Sequence, residues 1–185
     1  MKNLKSKSDE DLMLAIRKRK SEEAFNELYA RYSHRLLLFM YKMLNQDENK
    51  AQDFLHDIFL QLIKRPDQFN PEKKFKPWIF TVAANKCRNE YRLKKLNDLS
   101  GMENHLYINE RSTNNIDHAL FANELKIALN ELIPIYKEVF ILRYDDGLSL
   151  KEIAAVLDCP LGTIKSRLHS ATKLLSDKLI HFQNH

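Results

Sequence analysis

Glycine, proline and cysteine are scarce in this chain of 185 residues, which has three Gly, five Pro and two Cys. Strands and the turns that join them need more glycine and β-branched residues, whereas the helix-favouring Leu, Lys, Glu and Ala are plentiful. The composition therefore predicts an all-α fold. Hydrophobic residues make up 44% of the chain, which is enough for packed cores.

The two cysteines, Cys87 and Cys159, are far apart and form no CxxC pair. Their spacing argues against a disulfide framework and against a thiolate zinc site. Long apolar runs are also missing, because the longest, Leu36–Tyr41, is far too short to cross a bilayer. Since the N-terminus is also too polar for a signal peptide, we expect a cytoplasmic protein with no membrane span.

Basic residues are unevenly distributed along the chain. Residues 1–100 contain 21 Lys and Arg against 14 Asp and Glu, whereas residues 120–185 contain eight of each kind. The positive excess therefore belongs to the front half, which we expect to attract a polyanion.

Residues 97–118 differ in composition from both flanks, since they are rich in Asn, Ser and Thr and lack helical periodicity. This predicts a flexible linker between two small helical domains, residues 1–96 and 119–185. Helices are predicted at about 9–20, 22–45, 48–65 and 77–96 in the first domain and at about 118–132, 134–145, 149–157 and 161–181 in the second.

The segment SLKEIAAVLDCPLGTIKSRLHSATKLL, Ser149–Leu175, contains two apolar helical patterns separated by Asp158-Cys159-Pro160. Ser149 and Glu152 have the spacing of a capping box, which marks the start of the first helix. In the second helix the apolar residues fall within roughly 60° of one another. They are Ile164, Leu168, Ala171 and Leu175.

The outer side of that second helix carries small, polar and basic residues. A short helix, a tight turn and a helix with such a face are typical of a helix-turn-helix, whose second helix enters the major groove of DNA. An ordinary solvated helix face is the alternative. The expected DNA contacts are Thr163, Lys165, Ser166, Arg167, His169, Ser170 and Lys173.

A second basic surface is predicted along the helix from Pro77. Between Lys73 and Lys95 there are eight basic residues and one acidic residue. A basic helix beside an aromatic-bearing loop can hold a phosphate backbone and accommodate an unpaired base. A packed core with a solvated face is the alternative. The candidate contacts are Phe69, Lys73, Lys74, Phe75, Trp78, Asn85, Arg88, Arg92 and Lys95.

The segment AQDFLHDIFLQLIK has a different character. Its apolar residues share one helical side, whereas Asp53, His56, Asp57 and Gln61 lie outward on adjacent turns. An acidic, hydrogen-bonding face within a basic domain is a poor DNA surface and suits docking to a protein. A plain solvated face is the alternative.

Four blocks occur in order along the chain: EEAFNELYARYSHRLLLFMYKML, AQDFLHDIFLQLIK, FKPWIFTVAANKCRNEYR and LRYDDGLSLKEIAAVLDCPLGTIKSRLHSATKLL. Together they resemble conserved regions two and four of the bacterial extracytoplasmic-function sigma factors. The resemblance implies a subunit that binds core RNA polymerase through its largest subunits, directs it to promoter DNA and has an anti-sigma factor as a partner.

The resemblance also implies roles for the candidate residues. Asp53, His56 and Asp57 occupy polymerase-docking positions. Asn85, together with the loop residues Phe69, Lys73, Lys74 and Phe75, would hold a flipped base of the minus-ten element. In the second domain, the residues that match positions reading the minus-thirty-five element are Lys165, Ser166, His169 and Ser170.

Two other functions are compatible with parts of the sequence. An autonomous helix-turn-helix repressor or activator would explain the second domain but leave the basic front domain without a role. An enzyme would need a reactive constellation, yet the seven His are scattered, with no HExxH motif and no phosphate-binding loop. We therefore expect no catalysis, no cofactor and no metal.

Overall fold

The computed structural model describes residues 4–99 and 116–180, and the side chains of residues 4–96 and 120–180. All regular structure in these ranges is helical, which confirms the all-α prediction. The chain divides into two compact units, Met1–Glu103 and Asn104–His185. In the ranges described, no helix is both long enough and apolar enough to cross a membrane.

The first unit contains four α-helices, α1 (Asp9–Arg19), α2 (Glu22–Met43), α3 (Glu48–Lys64) and α4 (Phe75–Leu99). Short 3₁₀ turns lie at Leu4–Ser6 and Pro66–Gln68. Side chains of Ser8, Ser21 and Asp47 cap the first three helices, each accepting a backbone N–H from the third helical residue. These caps satisfy donors that a helix start leaves without a partner, and they fix where each helix begins.

The core of the first unit is built around α2, which packs against the other three helices. Leu28, Leu36 and Met40 of α2 are fully buried. Phe39 of α2 meets Phe80 of α4 edge to face, with ring centroids 5.7 Å apart. The outer sides of α3 and α4 are therefore presented to solvent by a rigid interior.

The second unit contains α5 (Ile116–Glu131), α6 (Pro134–Tyr144), α7 (Leu150–Leu157) and α8 (Leu161–Lys178). Gly147, with φ of +62°, makes the turn between α6 and α7, where the N–H of Leu148 donates to the carbonyl of Leu142. Glycine accepts this left-handed conformation without strain. The apolar interior of the second unit includes Ala128, Leu129, Leu132, Ala171 and Leu175.

Several predicted helix bounds differ from the observed ones by two or three residues. Helix α2 ends at Met43 rather than at about residue 45. Helix α4 begins at Phe75 rather than Pro77, although Pro77 still lies in its first turn, where its missing N–H costs no hydrogen bond. Helix α8 ends at Lys178. Helices α4 and α5 also each cover three residues of the predicted linker 97–118, and the rest of it, residues 100–115, lies outside the described ranges.

Candidate functional site

The outer side of α3 presents the four polar residues predicted there, and all four are exposed. The structure adds two large apolar side chains, Leu60 and Ile63, which are 48% and 51% exposed. An apolar centre with a polar surround is the usual anatomy of a protein interface. We call this surface the docking face, and it consists of Asp53, His56, Asp57, Leu60, Gln61 and Ile63.

The opposite side of α3 is held firmly in place. Leu55, Ile58, Phe59 and Leu62 are buried. The ring of Phe59 lies 4.8 Å from that of Tyr29 on α2, measured between centroids. The inner side of α3 is therefore fixed by packing, whereas Leu60 and Ile63 are left about half exposed beside the polar residues of the outer side.

Asp57 of the docking face is joined to α4. Its Oδ2 accepts a hydrogen bond from the Lys86 ammonium at 2.9 Å. The same ammonium lies 5.0 Å from the centroid of the Phe54 ring. Asp57 remains largely exposed, so the pair contributes at most about 1 kcal/mol to stability and leaves the second carboxylate oxygen available to a partner.

The prediction that Phe69 or Phe75 forms the wall of a base pocket is wrong for this structure. Phe69 is 2% exposed and Phe75 is fully buried. The two rings lie edge to face, 5.5 Å apart, and Phe75 also meets the ring of Tyr32 at 5.2 Å. Releasing either ring to hold a base would cost about 3–5 kcal/mol of core packing. These two aromatics belong to the core.

The loop before α4 still presents basic side chains. Lys73 and Lys74 are exposed, whereas Trp78, in the first turn of α4, is half-buried against Phe69. Asn70 shapes the loop locally, since its Oδ1 accepts the backbone N–H of Glu72 at 2.9 Å. The lysines can therefore reach a phosphate backbone even though the neighbouring rings cannot stack on a base.

Helix α4 presents an amide and several basic groups on one side. Asn85, Arg92 and Lys95 are exposed and Arg88 is half-buried, as predicted for an outer face. Arg92 also donates to Asn89 Oδ1 at 3.3 Å. Together with Lys73 and Lys74, these residues line up an amide for base edges and guanidinium and ammonium groups for phosphates.

The turn between α7 and α8 has the predicted features. Ser149 Oγ accepts the N–H of Glu152 at 3.2 Å, and a Glu152 carboxylate oxygen accepts the N–H of Ser149 at 2.8 Å, which confirms the capping box. Asp158 ends α7 in the left-handed conformation, with φ of +49°. Ile164 and Ala171 of α8 are fully buried. These contacts fix both ends of the turn and orient α8.

The outer side of α8 is open to solvent at most of the predicted positions. Lys165, Ser166, His169 and Lys173 are exposed, while Thr163, Arg167 and Ser170 are half-buried. Two of these side chains have partners within the unit: the Arg167 guanidinium donates to the Cys159 sulfur at 3.4 Å, and the Ser166 hydroxyl donates to the Thr163 carbonyl at 2.9 Å. A Cβ added at Gly162 would meet nothing within 4 Å, so the start of this face is also unobstructed.

A buried lysine, which the sequence analysis missed, lies in α6. Lys137 is 1% exposed, and its ammonium donates to Asn130 Oδ1 at 2.9 Å. Burial lowers its pKa from the ordinary 10.5 to about 8, because the charged form loses its hydration. The only signal in the sequence is a lysine one turn into a helix whose other residues are mostly apolar.

The described residues contain no group of three or more His, Cys, Asp or Glu side chains that could hold a metal ion. Cys87 is buried and Cys159 is half-buried, and the two do not form a disulfide with each other.

Two family models match the chain. The model of sigma-70 region 2 matches residues 28–96, which include α3 and most of α4. The model of sigma-70 region 4 matches residues 123–175, which include α7 and most of α8. The matched segments therefore contain the docking face and the exposed faces of α4 and α8.

Whole-length relatives point in the same direction. The chain is 26% identical over 173 residues to the ECF RNA polymerase sigma factor SigW of Bacillus subtilis, covering 88% of this chain and 92% of that protein. It is 26% identical over 181 residues to the ECF RNA polymerase sigma-E factor of Escherichia coli K12, covering 91% and 94%.

Two solved structures have a similar fold. One is the sigma factor RpoE of Bartonella quintana in complex with the anti-sigma factor NepR, with a TM-score of 0.69, 26% identity and coverage of 84% of this chain and 96% of that one. The other is CnrH in complex with the cytosolic domain of CnrY, with a TM-score of 0.71, 24% identity and coverage of 95% and 99%.

Proposed function

Because the chain belongs to the sigma-70 family, among its extracytoplasmic-function members, it binds core RNA polymerase and directs promoter-specific initiation, and we propose which of its surfaces contacts polymerase and which contact promoter DNA. The observation that carries the proposal is the segregation of exposed side chains. Carboxylates are exposed on α3 together with Leu60 and Ile63, amide and basic groups are exposed on α4 together with Leu93 and Leu96, and small, hydroxyl and basic groups are exposed on α8. Each set suits a different partner.

The docking face is the surface for core polymerase. Leu60 and Ile63 supply the apolar contact, and Asp53 and Asp57 supply charge that attracts a basic partner. Buried apolar centres provide most of the free energy of an interface, whereas rim charges steer the encounter and set the register. Contact with the largest polymerase subunits, as implied by the family resemblance, fits this composition.

The outer side of α4 and the loop before it are the surface for the minus-ten element. Asn85 can donate to and accept from the edge of an extruded base, and Lys73, Lys74 and Arg92 can bind the phosphates beside it. Since Phe69 and Phe75 are buried, the base is held here by hydrogen bonds and charge, and the half-buried Trp78 lies beside those two rings.

The outer side of α8 is the surface for the minus-thirty-five element. A helix that enters the major groove reads bases with its first turns and touches phosphates farther along. Lys165, Ser166 and His169 are placed for base edges, whereas Lys173 is placed for a phosphate. Residues 1–96 and 119–185 thus act as separate DNA-binding domains joined by the linker 97–118.

The protein acts by binding and performs no chemistry of its own, so it needs no cofactor or metal. Its place of action is the cytoplasm, where core polymerase and the chromosome are found. RpoE of Bartonella quintana, 26% identical to this chain, is known in complex with an anti-sigma factor. An anti-sigma factor is accordingly the expected regulator of this protein as well.

Run-off transcription tests the proposal. The full chain is mixed with core polymerase and promoter-bearing genomic fragments, and the start sites are mapped. Discrete start sites that appear only when both proteins are present are expected. A protein that shifts a specific duplex without core polymerase, yet gives no start sites with it, would instead be an autonomous repressor or activator.

A further inference from the structure

The loop between α3 and α4, residues 65–74, carries Lys73 and Lys74 and is held at both ends by α1. Helix α1 lies outside the matched region-2 segment, which begins at residue 28. None of its residues was among the candidate contacts. Its contacts with the loop nevertheless determine where the two lysines are presented.

Glu10 of α1 fixes the end of the loop nearer α4. Its Oε1 accepts the backbone N–H of Phe75, the first residue of α4, at 2.9 Å and across 65 positions of sequence. The first N–H groups of a helix have no partner within the helix, and negative charge is favoured at that end. Glu10 therefore caps α4 from another helix and sets the point where the loop ends.

Asp9, the neighbour of Glu10, supports the same end of the loop through a side chain. Its carboxylate accepts hydrogen bonds from the Tyr32 hydroxyl and from Arg31, the latter at 2.7 Å. Burial and the Asp9 carboxylate raise the pKa of Tyr32, so its hydroxyl stays protonated as a donor. The Tyr32 ring in turn packs edge to face on Phe75. The first turn of α1 thus holds both the backbone and the ring of Phe75.

Arg17, in the last turn of α1, contacts the other end of the loop. Its Nε lies 2.5 Å from Asp67 Oδ1, in the 3₁₀ turn Pro66–Gln68. Seven residues of helix span about 10 Å. Helix α1 therefore keeps the two ends of the loop at a fixed separation. The Arg17 pair is largely exposed and is the weaker of the two attachments.

We propose that α1 sets the position of the loop that presents Lys73 and Lys74 to the melted minus-ten strand, and that Glu10 is the positioning residue. The proposal rests on the function proposed above, in which these lysines bind that strand. Glu10 itself does not touch DNA. It acts through the backbone of Phe75.

The test compares Glu10→Ala with Glu10→Gln in the full chain, with Asp11→Ala, an exposed acid in the same turn, as the matched control. Two quantities are measured: hydrogen exchange of the Phe75 amide in the free protein, and affinity of the holoenzyme for a fluorescent single-stranded oligonucleotide of the non-template strand from a mapped promoter. Glu10→Ala should lose protection at Phe75 and bind the strand about tenfold more weakly, with core polymerase affinity within about twofold of the parent. Glu10→Gln keeps an acceptor oxygen and should retain most of both properties.

Three outcomes would overturn the proposal. They are parental protection at Phe75 in Glu10→Ala, parental affinity of that variant for the single strand, and an equal loss of core polymerase affinity, which would indicate general damage to the domain. A Lys73→Ala/Lys74→Ala double variant distinguishes failure of the positioning role of Glu10 from failure of the proposed function. If the double variant binds the strand normally, the loop has no strand-binding role. If only the lysine variant is defective, the positioning role of Glu10 is wrong.

Discussion

The apolar centre of the docking face gives the sharpest test of polymerase binding. Leu60 and Ile63 are each about half exposed, at 48% and 51%. Replacing both residues with Gln keeps an aliphatic stem on α3 at each position and makes the exposed end of each side chain polar. Fully burying such a side chain is worth about 1.5–3 kcal/mol, so the exposed half of each contributes about 0.7–1.5 kcal/mol when polymerase covers it.

The Leu60→Gln/Ile63→Gln double variant should therefore lose about 1.5–3 kcal/mol of binding free energy, a weakening of roughly 10- to 150-fold. The measurement is the dissociation constant for core polymerase, by competition against a labelled parent chain. The melting temperature should stay close to the parent's, since substitutions of exposed groups usually change stability by less than about 0.5 kcal/mol.

Leu38→Gln is the matched control. Leu38 is 44% exposed on α2, and it lies about 180° around that helix from Tyr29, the residue that contacts Phe59 of α3. The affinity of the Leu38→Gln variant for core polymerase should remain within about twofold of the parent's. If the double variant bound core polymerase as tightly as Leu38→Gln does, the exposed apolar pair would not be part of the interface, and the reasoning from an apolar centre would fail.

Three further predictions concern the surfaces of α4 and α8 and the buried Lys137. Asn85→Ala should leave holoenzyme formation intact but reduce the formation of open complexes on duplex promoters. A template with a premelted minus-ten bubble should restore much of the loss. Equal permanganate reactivity of mutant and parent complexes on duplex DNA would assign Asn85 a structural role. Lys165→Ala should lose about 1–3 kcal/mol of binding free energy that depends on one base position of the minus-thirty-five element. Lys173→Ala should weaken binding to all promoters alike and reduce the slope of log affinity against log salt concentration by about one. A base-specific effect of Lys173→Ala would contradict the assignment of Lys165 to bases and Lys173 to phosphate. Burial lowers the pKa of Lys137 to about 8, so between pH 8 and 10.5 the unfolded state binds more protons than the folded state. Over this range the free energy of unfolding of the parent should rise relative to that of Lys137→Met, by on the order of 3 kcal/mol. A constant difference between the two proteins across this range, measured by denaturant unfolding, would exclude a depressed pKa.

The starts of α2 and α7 could be read from the sequence because their caps are local. Ser21 and Ser149 act within three residues of their own position, so nothing distant is needed to recognise them. The turn at Asp158–Pro160 is local for the same reason. The outer side of α8 followed from periodicity alone, since Ile164 and Ala171 had to face inward.

The burial of Phe69 and Phe75 could not be predicted in this way. The segment 65–77 contains three prolines and three lysines, a composition typical of exposed segments. The two rings are buried because Tyr32 of α2 lies against Phe75 and Trp78 lies against both. Tertiary contact here overrides local composition. The same holds for Ala84, which a helical wheel of α4 places on the same side as Arg88 and Lys95 and which is fully buried.

Leu60 shows the opposite case, a feature that the sequence could have revealed. At 100° per residue it lies about 20° from Asp53 around the helix axis, on the side assigned to solvent. Together with Ile63, it forms an exposed apolar pair among polar residues, and adjacent exposed apolar residues can mark a partner surface.

The turn and core contacts of α8 have a consequence for how promoter preference can diverge. Its orientation depends on Ser149, Asp158, Ile164 and Ala171, none of which faces outward toward DNA. The outer residues Lys165, Ser166, His169 and Lys173 are exposed, so exchanging them changes stability by less than about 0.5 kcal/mol each. On the function proposed for α8, a few codon changes that the fold tolerates would therefore redirect this protein to a new set of genes. Arg167 differs from these four residues, because its guanidinium donates to Cys159 in the turn and a substitution would also remove that contact.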